Sequence, residues 1–447
     1  MFDQLIKVDN YDVVEIDYQQ PELVFDNFAG FYGSVLLTGR GDKTNSQYSF
    51  IGTRPNLDMK FIDDEISINN LKIDKNDVWS FLKTLLQKSQ FHDLKYPANL
   101  CGFIGYFSYE MCRKIENIPK TTKDSYKIPM FQLLAYKTYF VFDNFKKKAW
   151  KIDVKYEDEI ADVNSNDQFK FYSISNLVAE STKPDYLQKV KSVQKYIRNG
   201  DVYEVNLTQQ ISGDFEGSAY QLFQKIYTVN DAPYSCYFNL DNFQIVSNSP
   251  EMFLRANNKE VETRPIKGTI KRDTVHLRDL NNRELLLHSQ KDQAELFMII
   301  DLLRNDLGKV SEIGSVFVKE AKTLEVFQNV YHLVGIIKSK LQNDKDYIDL
   351  LKATFPGGSI TGCPKLRSME IIDELETFTR NLYTGTILIM NQQYLNSSIV
   401  IRTAMIKDGK IIINSGGAIT IDSEPLEEYN EMEAKIINIM EVLRGER

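Results

Sequence analysis

The amino-acid sequence predicts an α+β fold: large antiparallel sheets in a layered sandwich with helices outside. Three observations carry the prediction. Runs of β-branched and aromatic residues bounded by turn residues recur in both halves of the chain. Helical patterns stand between them, yet never in the strand–helix–strand alternation of a doubly wound sheet. The 447 residues, 43% hydrophobic and 26% charged, suffice for two or three domains or for one large core with an elaborated lobe.

Residues 11–150 read mostly as strands (VVEID, GSVLLTG, YSFIG, CGFIGYFSY, TYFVFD), interrupted by one helix over DVWSFLKTLLQKS. Residues 151–182, with YEDEIADVNSNDQ among them, are polar and acidic and read as a solvated connection or edge. They close a β-rich N-terminal lobe, 1–182, and the second region runs from 183 to 447. It opens with a helix, KPDYLQKVKSVQKYIRNGD, whose Asn199-Gly200 is a C-cap pattern. Strands follow over YEVNLTQQI, SCYFNL, QIVSNSP, FLRA and EVETRPIKG. One long helix is predicted over NRELLLHSQKDQAELFMIIDLLRNDLG and a short one over YIDLLKATFP. GTILIM and SSIVIRTAMIKDGKIIINSGGAIT read as strands, and PLEEYNEMEAKIINIMEVL as a closing helix.

The net charge of −8 argues against nucleic acid or an anionic membrane as the main partner. A small anionic substrate fits if basic residues gather locally. Cys101, Cys112, Cys236 and Cys363 are scattered without C-x-x-C spacing, which suggests buried thiols in a reducing compartment. The start, MFDQLIKVDNYD, has early acids and no apolar segment of a signal peptide, and no apolar run approaches 18 residues. The expected location is the cytoplasm.

Several stretches can carry chemistry. TRPIKGTIKR, residues 263–272, is shaped like a tight loop and sets Lys267 between Ile266 and Gly268; it is either a turn lysine or a nucleophilic amine. Asp292 and Glu295 share a helix face, as do Glu428, Glu431 and Lys435, next to Ile436, Ile437 and Met440. Each face alone is an ordinary solvated one; if they converge, they form an oxygen-ligand site suited to Mg²⁺. FPGGSITGCPKLRS is no Walker A loop, since Pro364 precedes Lys365 and Leu366 follows, but its backbone amides can cradle an anion or simply turn into a helix. INSGGAIT offers a second glycine pair. Arg402, in an apolar strand, reads as a carboxylate clamp. His332 is either a core histidine or a site residue, Arg304 ends a helix, and Glu251 is a turn acid or a general acid or base.

Taken together, SNSPEMFL, ETRPIKGTIKR, AELFMIIDLLRNDLGKV, FPGGSITGCPKLRSMEIIDELE, SIVIRTA, NSGGAIT and EEYNEMEAK occur in the order and spacing of the chorismate-utilising enzymes. The resemblance is strong over about 184–445 and weaker in the N-terminal third, through QYSFIGTRP and CGFIGYFSYEM. It implies an anthranilate synthase component I-like fold, with 183–447 as the chorismate-binding catalytic region. Within the family, PIKGT resembles the aminodeoxychorismate synthase component I branch, which aminates chorismate for p-aminobenzoate and folate; the anthranilate synthases resemble it with PIAGT. Isochorismate and salicylate synthases carry a lysine base at the position of Glu204, and the two aminating branches more often carry Gln there.

The resemblance implies the following roles. Glu295 and Glu431 bind Mg²⁺, with Glu428 and Asp292 as supports. Arg402, Lys435, Gly416, Gly417, Thr361 and His332 lie around chorismate, with Arg304 and Ser315 near the site. Lys267 attacks ring C2 as a neutral amine, its pKa depressed by burial, Arg264 and Arg304, while Glu251 assists the departing 4-hydroxyl. Ammonia then displaces the lysine at C4. No glutaminase machinery is visible, so the implied partner is a separate glutamine amidotransferase subunit. Tyr48, Ser49, Phe50, Pro233, Tyr234 and Ser235 match a tryptophan-binding pocket of the family, although Gly39 stands where the pattern has Ser.

Overall fold

The computed structural model describes residues 6–39, 46–74, 77–159, 171–229, 232–240, 243–327 and 329–444. Part of the polar stretch, 160–170, therefore lies outside the described residues, as do the side chains of Ile436, Ile437 and Met440.

Before residue 182 the strands are β1 (Val8–Ile16), β2 (Val35–Thr38), β3 (Tyr48–Ile62), β4 (Glu65–Ile68), β5 (Leu71–Ile73), β6 (Phe103–Phe107), β7 (Phe131–Asp143), β8 (Lys148–Tyr156) and β9 (Tyr172–Ala179). Two helices, α1 (Pro21–Phe25) and α2 (Val78–Lys88), join them. Then come α3 (Lys183–Arg198), β10 (Glu204–Gly217), α4 (Ala219–Val229), β11 (Tyr234–Leu240), β12 (Phe243–Ser249), β13 (Met252–Asn257), β14 (Glu260–Arg264) and β15 (Ile266–Lys271). Two helices, α5 (His276–His288) and α6 (Gln290–Gly308), lead to the hairpin β16 (Phe317–Val326) and β17 (Val330–Lys340). The chain ends through α7 (Tyr347–Thr354), β18 (Gly362–Cys363), α8 (Lys365–Leu375), β19 (Thr386–Met390), β20 (Tyr394–Ile399), β21 (Thr403–Lys407), β22 (Lys410–Ile419) and α9 (Pro425–Arg444).

The ladders are antiparallel and cross residue 182 repeatedly. β2 pairs with β11, β6 with β19, and β9 with β10. The apolar core is likewise common to both regions: Phe103, Phe131 and Tyr139 pack in one cluster with Leu388, Leu395 and Ile399. Each such side chain contributes roughly 1.5–3 kcal/mol of burial. A smaller cluster, with Tyr186, Val190, Val193, Ile371 and Met432, seats α3, α8 and α9 against β10.

Local chemistry explains the element ends. Thr182 and Asp185 form a reciprocal capping box on α3, and Gly200, at φ +82, follows its Asn199 cap as the sequence predicts. The predicted helix over 282–308 is instead two. Ser289 leaves helical geometry at ψ 110 and caps α6 by accepting from the Asp292 amide, although the apolar spacing runs on across it. The stretch read as solvated from 151 begins inside β8, with Ile152 and Val154 buried, while β9 is the edge expected. TRPIKGTIKR is a kinked pair of strands, not a loop: Pro265 separates β14 from β15. Arg402 stands between β20 and β21 at φ +52, so it belongs to a turn and not to a strand.

Candidate active site

The sheet brings Lys267 on β15 against Glu204 at the start of β10. Its Nζ donates to Glu204 Oε1 at 2.7 Å, with Lys267 7% and Glu204 0% exposed. Gly268 lets β15 lie close against α6: it sits at φ +77, and a Cβ there would lie 2.8 Å from the Asp292 carboxyl carbon. The predicted depression of the Lys267 amine is wrong. Burial does pull it down, but Glu204, Glu295 and Glu251 outweigh burial and raise it, so the free site holds an ammonium. Arg264 cannot help, because it is bound to Glu262 and Glu325, and Arg304 pairs with Asp301 on the exposed side of α6.

Glu251, immediately before β13, is 5% exposed and accepts from Ser359 Oγ at 2.7 Å and from the Ile266 amide at 3.5 Å. Burial pushes its carboxyl up to about 7, against Ser359 and Lys267. Burial likewise pushes Glu295, on α6, up to about 7, and its Oε1 is buried without a hydrogen-bond partner among the described residues. Two acids of α9 approach the same end. Glu428 accepts from Ser423 at 2.7 Å and from Lys291 at 3.4 Å, tying α9 to α6. Glu431 is open to solvent and paired with Lys435 at 3.0 Å, which holds its carboxyl below the usual range.

At the other end, burial pushes the His332 imidazole down to about 3, with Arg402 adding to the effect; its Nδ1 lies 2.7 Å from Thr269 Oγ1. Among the described residues the Arg402 guanidinium has no hydrogen-bond partner, and burial pulls its pKa down, against the charge of Glu251. A half-buried cation with no acceptor is a ready anion clamp. Lys435 donates to the Gly416 carbonyl at 3.1 Å, and a Cβ on Gly417 would face Glu428 and Lys435. Thr361 is fully buried, its hydroxyl donating to the Gly357 carbonyl at 3.0 Å.

The structure therefore gathers Lys267, Glu251, Glu295, His332 and Arg402 with Glu428, Glu431, Lys435 and Gly417. Arg304 and Ser315 are not brought in. Ser315 bonds Glu312 and Lys340 at the opposite end of β17 from His332, eight residues or roughly 26 Å along the strand. Sequence reasoning missed Ser359, Lys291 and Ser423, which hold the acids. It also missed the buried pair Arg380–Glu376, which bonds the Asn206 and Ile360 carbonyls and the Thr208 amide and so fixes β10 beside Thr361. Ser359 lies inside the glycine-rich stretch already singled out; the others carry no sequence signal of their own.

Among the described residues no three His, Cys, Asp or Glu side chains are close enough to hold a metal by themselves. The donor set is nonetheless all oxygen and anionic, and the orphaned Glu295 Oε1 lacks the partner a cation would supply, so the residues fit a hard divalent ion that also takes substrate oxygens. A cavity of about 1050 Å³ lies elsewhere, lined by Tyr203, Met298, Cys363 and Lys365, and none of the clustered acids borders it.

In the N-terminal lobe, Ser49 bonds Thr38 at 3.2 Å and Asn144 at 2.9 Å, while Ser235 donates to Asn248 at 2.6 Å. Tyr48 and Phe50 flank Ser49 on β3, and the Tyr234 hydroxyl is buried without a hydrogen-bond partner among the described residues. A Cβ on Gly39 would fall 2.2 Å from the Pro233 carbonyl oxygen, so this backbone has no room for the serine of the family pattern.

Residues 34–441 match the family described as chorismate binding enzyme. The chain is 36% identical to aminodeoxychorismate synthase component 1 of Bacillus subtilis, covering 79% of this chain and 78% of the relative. It is 30% identical to anthranilate synthase component 1 of Acetivibrio thermocellus, over 98% and 97%. Among solved structures, anthranilate synthase component I from Streptococcus pneumoniae superposes with a TM-score of 0.78 at 28% identity, covering 89% of this chain and 93% of that one.

Proposed function

The chain belongs to the chorismate binding enzyme family, and from that premise we infer that it aminates chorismate to 4-amino-4-deoxychorismate, the step toward p-aminobenzoate. The observation that carries this reading is Lys267, a buried amine set among Glu204, Glu251 and Glu295. The anthranilate branch resembles this chain but has alanine at that position.

The roles follow from the polarised cleft. Arg402, with no acceptor among the described residues, takes one substrate carboxylate. The ring carboxylate goes to the acid-lined end, where Glu295 and Glu431 would hold magnesium with Glu428 and Asp292 behind them. Bound there, the ion would withdraw electron density from the ring through that carboxylate. His332 stays a neutral imidazole beside the ring, and Lys435, Gly416, Gly417 and Thr361 shape the rest of the wall. Lys267 attacks C2 once its ammonium has lost a proton. Both ring double bonds shift, the C4–O bond breaks, and Glu251, a carboxyl titrating near 7, protonates the leaving hydroxyl. Ammonia attacks C4 and the lysine leaves with its electron pair.

Ammonia, on this reading, comes from a glutamine amidotransferase partner. The relatives' designation as component 1 supports it, and so do the described cysteines, whose thiols burial pushes up, the reverse of a nucleophile. The four free thiols also suit a cytoplasmic setting, and no described helix is long and apolar enough to cross a membrane. Tryptophan is proposed as a weak ligand of the N-terminal lobe, supported by the orphaned Tyr234 hydroxyl and limited by the missing side chain at Gly39. Product analysis with chorismate, Mg²⁺ and ammonium tests the main reading. Aminodeoxychorismate without anthranilate fluorescence is expected; anthranilate as the main product would overturn it.

A further inference from the structure

A protonated Lys267 raises a problem of chemistry: an ammonium has no lone pair to attack with, and its proton must go somewhere in a site that the substrate fills. Three acids face it from different elements. Glu251 already accepts from Ser359 and Ile266, and its task is to give a proton away at C4. Glu295, on α6, stands at the carboxylate-binding end. Glu204 is in direct contact with the amine at 2.7 Å, fully buried, and among the described residues its other oxygen, Oε2, has no hydrogen-bond partner. Its backbone is fixed by pairing with Cys363 on β18 and, two and four residues on, by the buried Arg380–Glu376 pair.

We propose that Glu204 is a catalytic base that takes the proton from Lys267 Nζ and returns it when the lysine is released. This rests on the reading of Lys267 as the nucleophile. One proton moves from Nζ to the Glu204 carboxylate, leaving a neutral amine and a carboxylic acid. The amine lone pair forms the C2–N bond, and the hydroxyl leaves as water with the Glu251 proton. When ammonia attacks C4, the C2–N bond breaks toward Lys267, whose amine recovers the proton from Glu204. The product ammonium supplies the proton that resets Glu251. No charge crosses to bulk water while the site is full, because the pair carries the same net charge before and after the transfer. The transfer is short and needs no movement of either chain. The groups facing the pair are Glu295 on α6, Glu251 before β13, Cys363 on β18 and, further out, Glu431 on α9.

The test follows the covalent adduct on Lys267 by intact mass after rapid quench, with chorismate and Mg²⁺ but no ammonia, from neutral to alkaline pH. Wild type should lose rate as pH rises through about 7, where Glu251 gives up the proton it must donate, so each variant is read as a ratio to wild type at the same pH. Glu204→Gln keeps an acceptor oxygen but cannot take the proton, so its adduct should form roughly 100-fold more slowly than wild type at neutral pH, with the deficit narrowing as pH rises. Glu204→Asp, which keeps the carboxylate, should retain the wild-type profile at a lower rate and serves if the glutamine variant does not fold. A glutamine variant as fast as wild type at neutral pH, or slowed equally at every pH, would overturn the proposal and leave Glu204 a structural partner. Absence of adduct in wild type, together with amination by Lys267→Ala, would instead remove the lysine reading itself.

Discussion

Lys365, half-buried, and Lys267, buried, both lie near α6, each donating to a carboxylate, and the difference between their surroundings is instructive. Lys365 has two acceptors, Asp306 and the Thr354 carbonyl at 2.8 Å, and Asp306 also takes Lys309 at 2.8 Å. Two lysines share the one carboxylate in contact, and burial pulls the Lys365 amine down. At Lys267 one amine faces three acids, its charge is reinforced, and oxygens of Glu204 and Glu295 stay unpaired. The first arrangement is closed and complete. The second is left open, which natural interiors tolerate where a ligand or a reaction completes it. A buried lysine is thus no signature of function; the unmet acceptors around it are.

The largest break in this contrast is Lys267→Ala. Amination should fall by roughly 10³-fold or more while the fold persists. Ammonia at high concentration should then reach C2 directly and give a small yield of 2-amino product or anthranilate, read by mass and fluorescence. Next comes Glu295→Gln or Glu431→Gln, which removes one anion from the carboxylate end and should cut turnover roughly 100-fold at saturating Mg²⁺. Full activity in either variant would remove that residue from the site. Lys365→Met should behave oppositely. It breaks a buried pair and should lower unfolding free energy by about 3–5 kcal/mol in urea, yet leave the product of the folded fraction unchanged.

A smaller effect separates the regions by pH. In the folded chain Glu251 and Glu295 titrate near 7, against an ordinary value of 4.5. Folding therefore tightens their protons, so their contribution to stability is complete below about pH 4.5 and is lost as pH rises through about 7. For Glu251 this amounts to about 3 kcal/mol, and Glu251→Gln should flatten that part of the stability profile. Smallest of all, saturating tryptophan should raise the melting temperature only slightly, by less than about 3 kcal/mol of linkage. No change in melting, with no heat of binding, would leave the N-terminal pocket without this ligand.

How far these regions were legible in the sequence follows the physics of each. The strands of 385–420 and the acids of α6 and α9 are visible because alternation and helical spacing are local. Ser289 was invisible because the apolar spacing runs through it, and β16 because an edge strand with mostly exposed side chains has the composition of a loop. Arg402 looked like a strand residue, since no pattern announces a left-handed backbone. The charge of Lys267 could not be read at all: Glu204, Glu251 and Glu295 are distant in sequence and meet only when β10, β13 and α6 converge. Ser315 and Arg304 failed for the same reason in reverse, being near in pattern and far in space.

The most direct measurement is a mass spectrum of the protein quenched during incubation with chorismate and Mg²⁺ in the absence of ammonia. The account predicts a covalent adduct of the dehydrated substrate on the peptide containing Lys267, discharged on adding ammonium and absent from Lys267→Ala. An unmodified protein, with amination undiminished in the alanine variant, would contradict it.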